Sequence, residues 1–201
     1  MKKIMIEPEN ITNYEMSYTE LEENILFWIL TAGKTAKMAA IVLNEFLKKH
    51  KAQKQPFQKI KKVSEKEIAK SLRSAGSGCY NQKARTIYEL VNSNINLKTC
   101  SIEELEKIKG IGRKTSRCYV MHSRENSNHA GLDVHIMRFL KEKGYTSKES
   151  TPSSKKEYER LEKIFIGLAK KKKKNIAEYD LEIWNRYAKN FQKKEKTSQL
   201  L

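Results

Sequence analysis

The sequence predicts an all-α fold, on three observations. Apolar residues recur at three- and four-residue steps through most of the chain, alternating β-branched runs are absent, and Ser/Thr-x-x-Glu boxes head several periodic segments. The first stripe is Leu21, Ile25, Trp28 and Ile29, and the second is Ala39, Val42, Leu43, Phe46 and Leu47. A later one is Leu161, Ile164, Phe165 and Leu168. Boxes at Ser64 with Glu67, Ser101 with Glu104 and Ser154 with Glu157 mark helix starts, where hydroxyl and carboxylate each satisfy first-turn backbone N–H groups. Gly, Asn, Ser or Pro accumulate at Lys51–Lys62, Gly76–Gly78, Asn92–Thr99, Ser123–Gly131 and Gly144–Ser153, which are therefore the expected breaks. Roughly nine or ten helices follow. No internal repeat is present, and the low-complexity element is the lysine run Lys170–Lys174.

A chain of 201 residues suits one large domain or two small lobes sharing a core. Lys and Arg number 41 against 24 Asp and Glu, a formal charge of +17, which points to a polyanionic partner such as nucleic acid. A composition rich in lysine throughout is the alternative source of that charge. The three cysteines, Cys79, Cys100 and Cys118, show no Cys-x-x-Cys and no Cys/His pairing at zinc-ligand spacing, so reduced thiols and no metal, iron–sulfur cluster or other cofactor are expected. Met1 to Asn13 lacks the apolar stretch of a signal peptide, and Ile25–Leu30 is far too short to span a bilayer. The expectation is a soluble cytoplasmic protein with no membrane partner.

The segment richest in chemistry runs from Leu105 to Ser116. A short capped helix ending near Lys109 meets Gly110-Ile111-Gly112, whose glycines permit positive φ and close backbone approach, and a second helix begins at Arg113. Such a turn presents helix-terminal N–H groups to a phosphate. Ile111 is expected to anchor the turn, while Lys109, Arg113 and Thr115 add phosphate contacts. Gly-x-Gly alone fits an ordinary helical joint equally well. Nineteen residues after Lys114 stands Asp133, directly before the apolar Val134–Phe139, where an aspartate is also a preferred N-cap.

The run Gly110-Ile111-Gly112-Arg113-Lys114-Thr115-Ser116, with Leu132-Asp133-Val134-His135 downstream, resembles the helix-hairpin-helix (HhH-GPD) DNA glycosylase superfamily. The Pro of that superfamily's Gly/Pro/Asp loop is absent here. The resemblance implies one catalytic unit over residues 1–201, with lobes of about 20–99 and 100–201 around a DNA-binding cleft. It implies a monomer acting on double-stranded DNA that carries a damaged base, at the nucleoid. It also implies that Lys114 forms a Schiff base with the deoxyribose and that Asp133 assists. Lysine chemistry of this kind requires a neutral amine, which desolvation favours.

Two further segments extend the likeness. Gly78-Cys79-Tyr80-Asn81-Gln82-Lys83-Ala84 with Ile87 is similar to the endonuclease III group, whose loop inserts a side chain into the duplex; Cys79 takes the wedge position, with Tyr80, Asn81 and Lys83 beside it. A loop that merely caps the following helix is the alternative. Leu26–Ala36 and Tyr158–Tyr187 look most like the type-2 8-oxoguanine glycosylases of archaea and bacteria. By that resemblance Trp28, Asp180 and Trp184 belong to the base pocket, with Trp184 stacking on the extruded base; as a bare residue Trp184 is more often core. Gly33 stands where that group has a gap-filling Asn, and the chain continues past Lys193, where the group ends. The lesion implied is 8-oxoguanine, with an oxidised or modified pyrimidine as the alternative and a non-catalytic DNA-binding module as the third reading.

Overall fold

In the computed structural model the described residues are 6–198 for the backbone and 6–188 for side chains, and among them every regular element is helical. After a 3-10 turn at Pro8–Asn10 come α1 (Tyr18–Leu30), α2 (Ala36–Lys49), α3 (Pro56–Ile60), α4 (Glu65–Ser74) and α5 (Tyr80–Asn92). The chain continues with α6 (Ile102–Glu106), α7 (Arg113–Ser123), α8 (Val134–Glu142), α9 (Lys155–Lys171) and α10 (Ile176–Ser198). The short α3 lies within the expected break at Lys51–Lys62, started by Pro56 at a position where the missing N–H costs nothing.

All three serines singled out from the sequence are N-caps, accepting from the backbone N–H of Glu67, Glu104 and Glu157. The reciprocal carboxylate bond closes the box at Ser101, and an additional complete box stands at Ser17 with Glu20. Helix α1 is buried along almost its whole length, from Leu21 to Leu30, so it is the central strut rather than an amphipathic cover. It packs on α2, α3, α5 and α7. Each of its fully buried Ile, Leu and Phe side chains contributes about 1.5–3 kcal/mol.

Two apolar cores meet on α7. One gathers α1 to α6 and the first turns of α7 up to Val120; the other runs from Met121 through α8, α9 and the start of α10 to Ile183. The change from one core to the other falls inside α7, and Leu97, Cys100, Ile102 and Leu105 pack into the first core. Helix α7 thus begins at the hairpin and, buried from Thr115 to Ser123, passes from one core into the other.

Candidate active site and nucleic-acid interface

The hairpin is built by backbone geometry and braced by α5. Gly110 has φ +98°, and a Cβ there would lie 2.0 Å from Thr86 Oγ1, so both the conformation and the close approach require glycine. The Thr86 hydroxyl donates to Lys109 O at 2.9 Å, and the Lys109 N–H donates to Glu89 Oε2 at 3.1 Å. Gly112, the N-cap of α7, is extended, with open space around its α-carbon. Ile111 is buried as an anchor, while Lys109, Gly110 and Gly112 are exposed. The short helix α6 ends at Glu106 rather than near Lys109, leaving a turn before the glycines.

One expectation about a side chain needs correcting: Thr115 is buried on α7, so its hydroxyl is not presented to a phosphate. Arg113 is half-buried and its guanidinium donates to Ser153 O at 2.9 Å, so it ties the hairpin to the head of α9.

The loop before α5 shows a similar division of labour. Cys79 is exposed with φ +50° and heads the helix, Asn81 is exposed and Tyr80 is half-buried. Lys83 is not part of a wedge. It is buried, and its ammonium donates to Leu30 O at 3.0 Å, capping the carboxyl end of α1. Burial pushes its pKa down. Gly78 lies against the stem of Lys34, so the loop around Gly33, with its φ of +68°, sits beside the Cys79 loop.

Along α7, Lys114, Cys118 and His122 follow one another at four-residue steps, on one stripe. The Lys114 Nζ lies 4.7 Å from the Trp28 ring centroid and donates to Thr31 Oγ1 at 3.3 Å. Below it the Cys118 thiol is fully buried against Gly131, where a Cβ would come within 2.1 Å of the sulfur. Burial pushes that thiol up to about 12, so it is an inert neutral group. His122 stacks on Trp28 with centroids 5.3 Å apart.

Asp133 opens α8 as its N-cap: Oδ1 accepts from His135 N at 2.8 Å and Ile136 N at 2.9 Å. Its second oxygen is not needed for the cap. The approach loop is pinned by Tyr158, whose hydroxyl accepts from Leu132 N and donates to Ala130 O, and by Glu162, which accepts from Ala130 N. Lys114 and Asp133 both perturb Cys118 and Asp180 electrostatically, so these four groups share one neighbourhood. Burial raises the pKa of Asp180, and burial lowers that of His135 beside Asp133.

Between the cores lies a cavity lined by Phe27, Trp28, Cys118, His122, Gly131, Asp133, Asp180 and Trp184, with Pro8, Ile11, Ala36 and Leu181 completing the wall. Trp28, Asp180 and Trp184, expected together from the sequence, thus line one space. Trp184 is half-buried and meets His135 edge-on at 5.9 Å. The cavity holds about 30 Å³. His122, Cys118 and Thr12 were not singled out by sequence, although His122 and Cys118 carry the four-residue spacing from Lys114. Among the described residues no group of three His, Cys, Asp or Glu side chains could hold a metal, and no helix is long and apolar enough to cross a membrane. The segment after Lys193 has side chains outside the described residues.

The 8-oxoguanine DNA glycosylase family (Ogg-HhH) matches residues 5–174. Among solved structures, the 8-oxoguanine DNA glycosylase of Thermotoga maritima is similar with a TM-score of 0.67 at 24% identity, over 88% of this chain and 84% of that one. The 8-oxoguanine DNA glycosylase of Methanocaldococcus jannaschii gives 0.67 at 22% identity, over 88% and 82%. A trapped endonuclease III–DNA covalent intermediate gives 0.62 at 23%, over 83% and 74%. No curated protein matches the chain. The solved structures show a shared fold of two helical lobes, and the family match covers most of the sequence: the chain belongs to the 8-oxoguanine DNA glycosylase family of the helix-hairpin-helix superfamily.

Proposed function

We propose that this protein is a bifunctional DNA glycosylase and AP lyase that excises 8-oxoguanine, with Lys114 as nucleophile and Asp133 as its charged partner. The observation that carries this reading is the placement of Lys114 in the first turn of the hairpin helix, over Trp28, in the same neighbourhood as the Asp133 cap at the cleft.

The exposed hairpin glycines and Lys109 hold the backbone of a duplex, and the protein acts on it as a monomer, at the nucleoid. The two lobes part and the damaged nucleotide turns out of the stack, at a cost of a few kcal/mol that a lesion reduces. Trp184 offers a stacking face in the pocket. The neutral amine of Lys114 then attacks the sugar C1′ as the bond to the base breaks, and the base departs with a proton. Asp133 stabilises the positive charge that develops on the sugar. The C1′–O4′ bond then opens, O4′ taking a proton, to give the Schiff base; this acidifies the C2′ hydrogen, whose loss as a proton breaks the C3′–O bond and expels the 3′ phosphate, nicking the strand.

The lesion follows from the family, and one structural point supports it. The loop that looked like the endonuclease III group owes its Lys83, Ala84 and Ile87 to packing, since all three are buried; it therefore carries no argument for a pyrimidine. The test sets 8-oxoguanine opposite each normal base beside thymine glycol and a thymine mismatch in identical duplexes. Release of 8-oxoguanine is expected. Release of the pyrimidine lesions alone would transfer the reading to the oxidised-pyrimidine class.

A further inference from the structure

We propose that His122 is a positioning residue for Lys114, acting through the face of Trp28. This rests on the assignment of Lys114 as nucleophile. Both side chains touch the same indole: the Lys114 Nζ lies 4.7 Å from its centroid, and the His122 ring lies 5.3 Å from it at an interplanar angle of 13°. They stand eight residues apart on α7, two turns of one stripe, so the indole bridges them.

His122 is itself held by two hydrogen bonds and lies against a carboxylate. Its Nδ1 shares a 2.7 Å hydrogen bond with Thr12 Oγ1, its Nε2 lies 3.4 Å from Asp180 Oδ2, and its backbone oxygen accepts from Asn13 N at 3.1 Å. The ring is fully buried, and Asp180 is nearly so. The Trp28 ring also meets Phe27 edge-on at 5.1 Å, so with His122 beneath it the indole has little freedom to tilt. Lys114 has a flexible four-carbon stem, and a fixed indole restricts where its ammonium can rest.

The anchor has a second effect. Asp180 and Trp184 are four residues apart on α10 and so share a helix face. The His122–Asp180 contact therefore references the helix that carries the base-stacking surface to the helix that carries the nucleophile. A buried ionisable pair is a poor source of stability, since apolar residues of similar volume often do as well. Its contribution lies in geometry, and a reacting atom displaced by about 1 Å costs on the order of a hundredfold in rate.

The experiment compares wild type with His122→Ala, His122→Leu and His122→Phe, reading single-turnover release of 8-oxoguanine, borohydride trapping and DNA affinity. It adds the near-ultraviolet circular dichroism of Trp28 in a Trp184→Phe background, which isolates it because the chain has two tryptophans. Expected are a fall of about ten- to a hundredfold in rate for Ala and Leu with DNA affinity unchanged, and a rate at least about threefold above that of Leu for Phe, which keeps the stack but not the Asp180 contact. The Trp28 signal should collapse in Ala and Leu and persist in Phe. Should Ala not fold, Leu fills the volume without a ring and serves in its place. The inference is overturned by a wild-type rate in the ringless variants, by a folded Phe variant as slow as Leu, or by rate and affinity falling together. Failure of wild type to trap would instead remove Lys114 as nucleophile, and this role with it; trapping by wild type with no effect at His122 removes this role alone.

Discussion

Lys114 and Trp28 are coupled twice. The ammonium lies 4.7 Å from the indole centroid, and it donates to Thr31 Oγ1, whose hydroxyl in turn donates to the Trp28 backbone oxygen at 2.7 Å. One residue of α1 thus fixes the amine through its ring and, by way of Thr31, through its carbonyl.

Removal of the ring should therefore be felt in the chemical step. The indole restricts where the amine rests, so Trp28→Leu should slow single-turnover base release by about tenfold through lost positioning, and Trp28→Phe should recover part of it. Equal rates in the Leu variant and wild type would show that the ring contact is incidental.

Asp133 separates capping from charge. Asn caps a helix as well as Asp does, so Asp133→Asn should keep the melting temperature near wild type while base release falls by about two orders of magnitude or more. Asp133→Ala removes the cap as well, about 1 kcal/mol, which lowers the melting temperature by about 2–4 °C in a domain of this size. Loss of fold and activity in parallel across both variants would leave the carboxylate with a structural role only.

The two hairpin glycines should respond differently. Gly110→Ala places a methyl on Thr86 at positive φ and should destabilise the fold by more than about 2 kcal/mol, read by denaturant melts. Gly112→Asp meets open space and supplies a good N-cap, so stability should hold. If the hairpin holds a phosphate as proposed, the added carboxylate should repel it, and DNA affinity should fall about tenfold for all sequences alike. Wild-type affinity itself should decline with salt with a log–log slope of about −3 to −6, and a flat dependence would remove the phosphate contacts from the account.

Acid should act through Glu162. Burial raises this carboxyl, but the neighbouring His129, the Ala130 N–H and the Arg117 guanidinium outweigh burial and hold its pKa below the ordinary 4.5. A carboxyl depressed in the folded state contributes stability above its unfolded pKa and loses it as pH falls through the folded value. Glu162→Gln should therefore be less stable than wild type at neutral pH, and the gap should narrow as pH falls below about 4.5. A gap independent of pH would place the cost in packing instead.

Local chemistry made much of this molecule readable from its sequence. The caps at Ser64, Ser101 and Ser154 and the start of α7 at Arg113 are set by neighbours within a few residues, and each lies where the sequence placed it. Asp133 was readable as a cap for the same reason. Lys83 was not read correctly, since lysine burial is rare; its register with Ile87 and Val91 on one face was the available signal. Thr115 fell on the inner face of α7, which the hairpin pattern alone does not reveal. The His122–Asp180 contact joins residues from two helices far apart in sequence, and no local pattern specifies such a pair.

The most direct test of the central claim is borohydride trapping on duplexes carrying 8-oxoguanine or an abasic site, followed by mapping of the cross-linked peptide. Wild type should form a covalent adduct on Lys114 and Lys114→Gln should form none, while Lys66→Gln, on the exposed face of α4, should trap as wild type does. An undiminished adduct with Lys114→Gln, or an adduct mapped to another residue, would contradict the account.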